Sequence, residues 1–346
     1  MATTMTREIG EQPAAVAATL QGLLPRLDEL REVVGGCHQV RFYARGSSDA
    51  AAVYGRYLVE THASLPAALG SPSIATLYGA EHDLSGTVGV FLSQSGATDE
   101  IVSTLSWASA CGAVTIAVTN DESSRLAKVA DLAWVTRAGT EDAVPATKTY
   151  TCQMVALALL AEGLRSAPPD QEFLAALGRL PSAIAAMLEQ TAAAEATAAR
   201  LRDRRALVVT GRGFTASTAQ EISLKIAETS YRPALGLSAA DLEHGPIAVL
   251  DENSALIVVS AQSGPARDGL AAIAANAAAR GSLVIGIGGT TLAKHCHVHL
   301  PCPPLPEEVS PAALVVGGQL IAEALCRADG LDPDRPRGLS KVTQTS

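Results

Sequence analysis

The chain has 346 residues, 48% of them apolar and 18% charged, with a formal net charge of −9. That length accommodates two domains with cores of their own, and the acidic balance without any Lys/Arg-rich run argues against a nucleic-acid surface. No stretch approaches about 18 uninterrupted apolar residues, so no membrane span is expected. Met1 to Gln12 carries charges and no apolar core, which speaks against a signal peptide. The six cysteines form no CxxC pair and sit largely in apolar runs, as expected for free thiols in a reducing, cytoplasmic setting.

Residues 1–35 read as a leading helical region, with Pro13 suited to a first turn and Pro25 marking a break. From there short apolar runs alternate with helical segments. Gln39 to Ala44 reads as a strand entering Arg45-Gly46-Ser47-Ser48, followed by a helix from Asp49 to Glu60. Further strands are expected at Thr87–Leu92, Val114–Val118 and Ala130–Val135. Such βαβα alternation predicts an α/β fold, a parallel sheet with helices on both faces. Residues 166–202 read as a helical connector opening on Ala167-Pro168-Pro169-Asp170. The strand pattern then restarts at Ala206–Thr210, entering Gly211-Arg212-Gly213, and at Ala255–Ser260, entering Ala261-Gln262-Ser263-Gly264.

The two halves repeat each other. Arg45-Gly46 and Arg212-Gly213 lie 167 positions apart, Ser93-Gln94-Ser95-Gly96 and Ala261-Gln262-Ser263-Gly264 lie 168 apart, and Thr115–Val118 and Val284–Ile287 lie 169 apart. Landmarks in the same order at near-constant offset indicate internal duplication, with one copy at 36–165 and the other at 203–327. The copies differ chemically. The strand Thr87–Leu92 ends in Ser93-Gln94-Ser95-Gly96-Ala97-Thr98, where a helix begins; that is a phosphate cradle or an ordinary helix N-cap. The second copy has Ala261 and Pro265 and lacks the matching Thr, so the first is the better phosphate site.

Several segments together resemble the sugar isomerase (SIS) domain family, in particular the isomerase half of glutamine–fructose-6-phosphate aminotransferase and the glutaminase-free aminosugar-phosphate deaminases. They are Arg7-Glu8-Ile9-Gly10-Glu11-Gln12-Pro13, Ser93-Gln94-Ser95-Gly96, Ala138-Gly139-Thr140-Glu141 with Ala146-Thr147-Lys148, Leu224-Lys225-Ile226-Ala227-Glu228, Glu243-His244-Gly245-Pro246, and Pro336-Arg337-Gly338-Leu339-Ser340-Lys341-Val342-Thr343. The resemblance implies two tandem SIS domains and a 328–346 tail folded over the site. It implies sugar-phosphate contacts from Ser48, Ser93, Gln94, Ser95, Thr98, Val144 and Lys225. Ala146 departs from the Ser that the family often carries there.

The remaining expectations concern chemistry. Glu221, Lys225 and Glu228 fall at i, i+4 and i+7 on one helical face, which reads as a solvated stripe with an ion pair or as a site for moving a proton between sugar carbons. The resemblance makes Glu228 that base, makes His244 the ring-opening group reaching the site of a partner subunit in a homodimer, and gives Lys341 a Schiff-base or charge role. His295, Cys296, His297, His299 and Cys302 would share a strand face in part, but they fall where the first copy has a plain strand, so no metal is expected and no cofactor either. The chain opens Met1-Ala2, without the Cys nucleophile of the synthases, so the expected reaction is glucosamine 6-phosphate plus water giving fructose 6-phosphate and ammonia. Alternatives are an ammonia-dependent synthase, a galactosamine-phosphate deaminase, a fructosamine-phosphate deglycase, and a non-catalytic sugar-phosphate-sensing regulator.

Overall fold

A computed structural model describes residues 2–342. Among the described residues there are ten strands: β1 Gln39–Tyr43, β2 Ala67–Leu69, β3 Thr87–Leu92, β4 Val114–Thr119, β5 Leu132–Val135, β6 Ala206–Gly211, β7 Ala234–Ser238, β8 Ser254–Ser260, β9 Leu283–Gly288 and β10 Val298–Pro301. They form two five-stranded parallel sheets, ordered β2-β1-β3-β4-β5 and β10-β9-β8-β6-β7. Read from the other edge, the second order is that of the first. Strands β6 to β10 begin 167, 167, 167, 169 and 166 positions after β1 to β5. The pairing register is also kept: Val40 faces Ala67 and Gln39 faces Thr87, while Leu207 faces Ala234 and Ala206 faces Ser254. The duplication therefore holds at the level of individual backbone pairs.

The sequence reading named the central strands and missed β2 and β7. The reason is burial. Every residue of β3 and β8 is buried, and such strands read as continuous apolar runs. The edge strands β2 and β7 are mostly half-exposed or exposed, so they lack that signal. The connector contains three helices, Gln171–Gly178, Leu180–Leu188 and Thr191–Leu201. At the N-terminal end, helices Thr4–Gly10, Gln12–Leu23 and Leu27–Val33 surround a single 3-10 turn at Leu24–Arg26, which accommodates Pro25.

The chain divides into two compact units that do not follow the sequence halves alone. The first-sheet unit comprises Ala14–Glu141, Lys148–Ala175 and the chain from Ser340. The second-sheet unit comprises the chain up to Pro13, Asp142–Thr147 and Ala176–Leu339. Each is built around one almost entirely buried helix. All sixteen residues of Lys148–Gly163 are buried, as are the first sixteen of Pro311–Ala328. The latter averages a mean hydropathy of 1.2 over 18 residues, enough to cross a membrane by length and composition, yet 89% of it is buried within the protein. Gln319, Glu323 and Arg327 interrupt its apolar run.

The His/Cys segment 295–302 departs from expectation. Only His299 lies within β10; His295 and His297 precede the strand and share no strand face with it. His297 Nδ1 accepts from the Val284 amide at 3.0 Å, and His299 Nε2 lies 3.2 and 3.1 Å from the carbonyl oxygens of Gly288 and Gly289. These rings are spent on the backbone of the sheet edge.

Candidate functional site

In the first-sheet unit, β3 delivers the hydroxyl loop. The Ser93 amide donates to the Val118 carbonyl at 3.1 Å, continuing the ladder, and the Gly96 amide donates back to the Ser93 carbonyl at 3.2 Å. Gly96 has φ +58°, and a Cβ there would collide with the Ser124 hydroxyl. Glycine is thus required both by conformation and by close approach. Ser93 is buried, and its Oγ lies 3.4 Å from Thr98 Oγ1; Ser95 Oγ accepts from the Ala97 amide at 3.2 Å. Thr98 occupies the N-cap position of the helix Asp99–Ala110, yet its side chain makes no capping bond. An ordinary N-cap threonine would spend its oxygen on the first helical turn. Here three hydroxyls gather at a helix N-terminus, where the amides and the dipole favour an anion.

Three further residues marked in the sequence belong to this unit. Ser48 lies in the first turn of the helix Ser47–Thr61, behind Gly46 at φ 59°, and its Oγ donates to Gln153 Oε1 at 3.0 Å. Lys341 Nζ donates to Glu141 Oε2 at 2.8 Å; the lysine side chain is 26% exposed and the glutamate fully buried. Gln94 is placed through its backbone, its carbonyl accepting from the Asn120 amide at 3.0 Å and from Thr119 Oγ1 at 3.2 Å.

In the second-sheet unit, the helix Phe214–Ser230 carries the charged stripe, and burial overturns the picture of a solvated face. Glu221 is 0% and Lys225 1% exposed, while Glu228 keeps 21%. Lys225 Nζ pairs with Glu228 Oε2 and lies 3.5 Å from Glu221 Oε1. Burying an ammonium is costly unless carboxylates meet it, and two do. The result is one carboxylate, Glu228, held in an ion pair and open to solvent on its other side. His244 follows the short helix Ala239–Glu243; its ring is exposed and its amide donates to the Asp241 carbonyl at 3.2 Å.

Val144 lies in a loop held by Glu8, from the opening motif, and by Asp334, which the sequence did not mark. The buried Glu8 carboxylate accepts from the amides of Asp142 at 2.6 Å and Ala143 at 3.2 Å. The Val144 amide donates to the Asp334 carbonyl at 3.3 Å, and the Asp334 carboxylate accepts from the amides of Thr4 and Met5, both at 2.7 Å. The opening Arg7-Glu8 motif and the tail thus hold the Val144 loop. The signal for Glu8 was a lone acid in an otherwise apolar helix face, visible only once its burial is known.

The second repeat's loop is arranged differently. Gly264 has φ +105°, and a Cβ there would run into the carboxylate of Glu307; one on Gly213 would come within 3.9 Å of the same carboxylate. Gln262 pairs with Thr290, its Nε2 donating to Oγ1 and its Oε1 accepting from the amide, each at 2.9 Å. Among the described residues, no group of three or more His, Cys, Asp and Glu side chains comes together in a way that could hold a metal ion.

Comparison with known proteins matches this architecture. The SIS domain profile matches residues 36–163 and 200–323. The chain is 31% identical over 341 residues to glutamine–fructose-6-phosphate aminotransferase (isomerizing) of Pyrococcus horikoshii, covering 97% of this chain and 57% of that protein. The same enzyme of Symbiobacterium thermophilum is 34% identical over 357 residues, covering 97% of this chain and 58% of that protein. The chain therefore spans under three-fifths of the length of these relatives. Among solved structures, the C-terminal domain of glucosamine-fructose-6-phosphate aminotransferase from Francisella tularensis superposes with a TM-score of 0.89 at 25% identity, covering 97% of this chain and 99% of that one. Glucosamine-6-phosphate deaminase from Thermotoga maritima, at 19% identity and a TM-score of 0.79 over 99% of this chain and 100% of that one, shares the fold. With two matched segments, two sheets of one strand order and relatives above 30% identity, the chain belongs to the SIS domain family as a tandem pair of its domains.

Proposed function

We propose that this protein is an aldose–ketose isomerase acting on an aminosugar phosphate, working as a deaminase: glucosamine 6-phosphate and water give fructose 6-phosphate and ammonia. The observation that carries it is the Lys225–Glu228 pair, a carboxylate fixed by a buried ammonium and left partly open. Moving a proton between adjacent sugar carbons needs one such base. In this reading Ser93, Ser95 and Thr98 hold the phosphate, with Ser48, Gln94 and Val144 against the sugar. His244 assists ring opening, and its exposure suits a role at the site of a second copy of the chain. Glu228 takes the proton from C2 and returns it to C1, which leaves an imine at C2. Water adds to that imine, and the C–N bond breaks to release ammonia and the ketose. The relatives named as aminotransferases and the fold shared with a deaminase support the substrate class.

Purified protein incubated with glucosamine 6-phosphate, with ammonia and fructose 6-phosphate both assayed, tests the reading. Equimolar appearance of the two is expected. Binding of hexosamine phosphates without any ammonia would instead favour a sugar-phosphate-sensing role. Turnover only from fructose 6-phosphate and ammonium salts would identify the synthetic direction.

A further inference from the structure

The segment Ala138–Glu141 has no part in the chemistry above, yet it is built with care. Glu141 has a fully buried side chain. Its Oε1 accepts from the Thr149 amide at 3.1 Å, in the first turn of the helix Lys148–Gly163, and its Oε2 accepts from Thr149 Oγ1 at 2.7 Å. The same Oε2 receives Lys341 Nζ at 2.8 Å. Beside it, Lys148 Nζ donates to the Thr140 carbonyl. A buried carboxylate is tolerated only when such donors meet it, and one of them comes from the far end of the sequence.

The loop bearing Glu141 is tied to the hydroxyl loop through one side chain. Asn120 Oδ1 accepts from the Ala138 amide at 2.7 Å and from Thr136 Oγ1 at 2.9 Å, and its Nδ2 donates to the Gly139 carbonyl at 2.8 Å. The backbone amide of the same Asn120 donates to the Gln94 carbonyl at 3.0 Å. The carboxylate that receives Lys341 is therefore linked by hydrogen bonds to the backbone of the loop that carries Ser93, Ser95 and Thr98.

We propose that Glu141 is a positioning residue, the dock that fixes the tail lysine Lys341 relative to the hydroxyl loop. The inference rests on the reading of Lys341 as a residue of the sugar site. A lysine near a chain end has many rotamers and a mobile backbone, and holding both before substrate arrives removes an ordering cost from binding. In the docked state Lys341 Nζ is engaged by the Glu141 carboxylate. Attack on a carbonyl would need that nitrogen released as a free amine. Docking thus supports the charge role over the Schiff base unless substrate draws Lys341 away from Glu141.

Two measurements on the full chain test this. In the first, Lys341 acetylation by a water-soluble acetylating reagent is followed by mass spectrometry. Glu141→Gln should raise the rate at Lys341 about tenfold, as loss of a coupling near 1.4 kcal/mol would. Thr149→Val, which removes a bond to Glu141 but leaves its carboxylate, should not. An equal rate in wild type and Glu141→Gln overturns the proposal, as does an equal rise in Thr149→Val. In the second, kcat/KM for glucosamine 6-phosphate is compared in a double-mutant cycle with Lys341→Met. Glu141→Gln should cost about tenfold in wild type and nothing further beside Lys341→Met. Equal losses on both backgrounds would show that Glu141 acts on the fold and not through Lys341. Should no hexosamine phosphate be turned over, the functional reading falls while the acetylation result still decides the dock.

Discussion

The two repeats share strand order, pairing register and a glycine of positive φ after the central strand, yet they end in opposite chemistry. The first places three hydroxyls and an uncapped helix N-terminus at the end of β3. The second keeps only Ser263, has Ala261 and Ala266 in place of the other two hydroxyls, and sets a carboxylate, that of Glu307, against Gly264 and near Gly213. A phosphate approaching the second loop would meet a like charge; one approaching the first meets donors. The charged stripe falls the other way, with Glu221, Lys225 and Glu228 in the second repeat. Duplication supplied two equivalent scaffolds, and in the proposed function each contributes a different half of the chemistry. One fold supports both because the loops at strand ends vary while the sheet stays fixed.

The largest test of this division is Glu228→Gln. It should lower kcat about a thousandfold, within the range for a positioned proton-transfer group, while inorganic phosphate binding to the protein is unchanged; retained turnover would remove the base from the second repeat. Next, Ser95→Ala or Thr98→Val should each weaken phosphate or substrate binding by about tenfold, the worth of one hydrogen bond to a charged group. Ser263→Ala in the second repeat should change neither KM nor kcat. A comparable loss there would mean that both loops bind anions.

Glu307 gives a smaller, pH-dependent effect. Burial first, then the neighbouring Glu308 charge, push its carboxyl above the ordinary carboxylate range. A carboxyl whose native pKa is raised stabilises the fold at low pH, and that stabilisation is lost as pH climbs through the native pKa. Glu307→Gln should therefore raise Tm at pH 7, and the difference from wild type should vanish below about pH 4, where both side chains are neutral. An unchanged Tm at both values would show that the carboxylate escapes into solvent. The smallest effect concerns the cores. Burial pushes the thiols of Cys152 in one central buried helix and Cys326 in the other up to about 12. Neither should be alkylated at pH 8 in the native protein, and both should react in denaturant; modification of one alone would show unequal opening of the two units.

The sequence by itself determined the doubled α/β plan, because buried parallel strands are continuous apolar runs and their 167–169 spacing is visible without coordinates. It also marked the hydroxyl loop, since an excess of Ser and Thr in one copy over the other is a difference in letters. What it left open depended on burial and on contacts between distant positions. The stripe Glu221–Lys225–Glu228 reads equally as a solvated face or a buried ion pair until packing removes Glu221 and Lys225 from water. Thr98 reads as an N-cap until its hydroxyl is found to make no capping bond. Glu8 and Glu141 stand in motifs that carry the resemblance, but the letters do not show what they hold; their partners lie 134 and 200 positions away, at Asp142 and Lys341. Periodicity and spacing report local backbone geometry, and a carboxylate's role is set by which donors the fold brings to it. That is why the tertiary structure alone decided them.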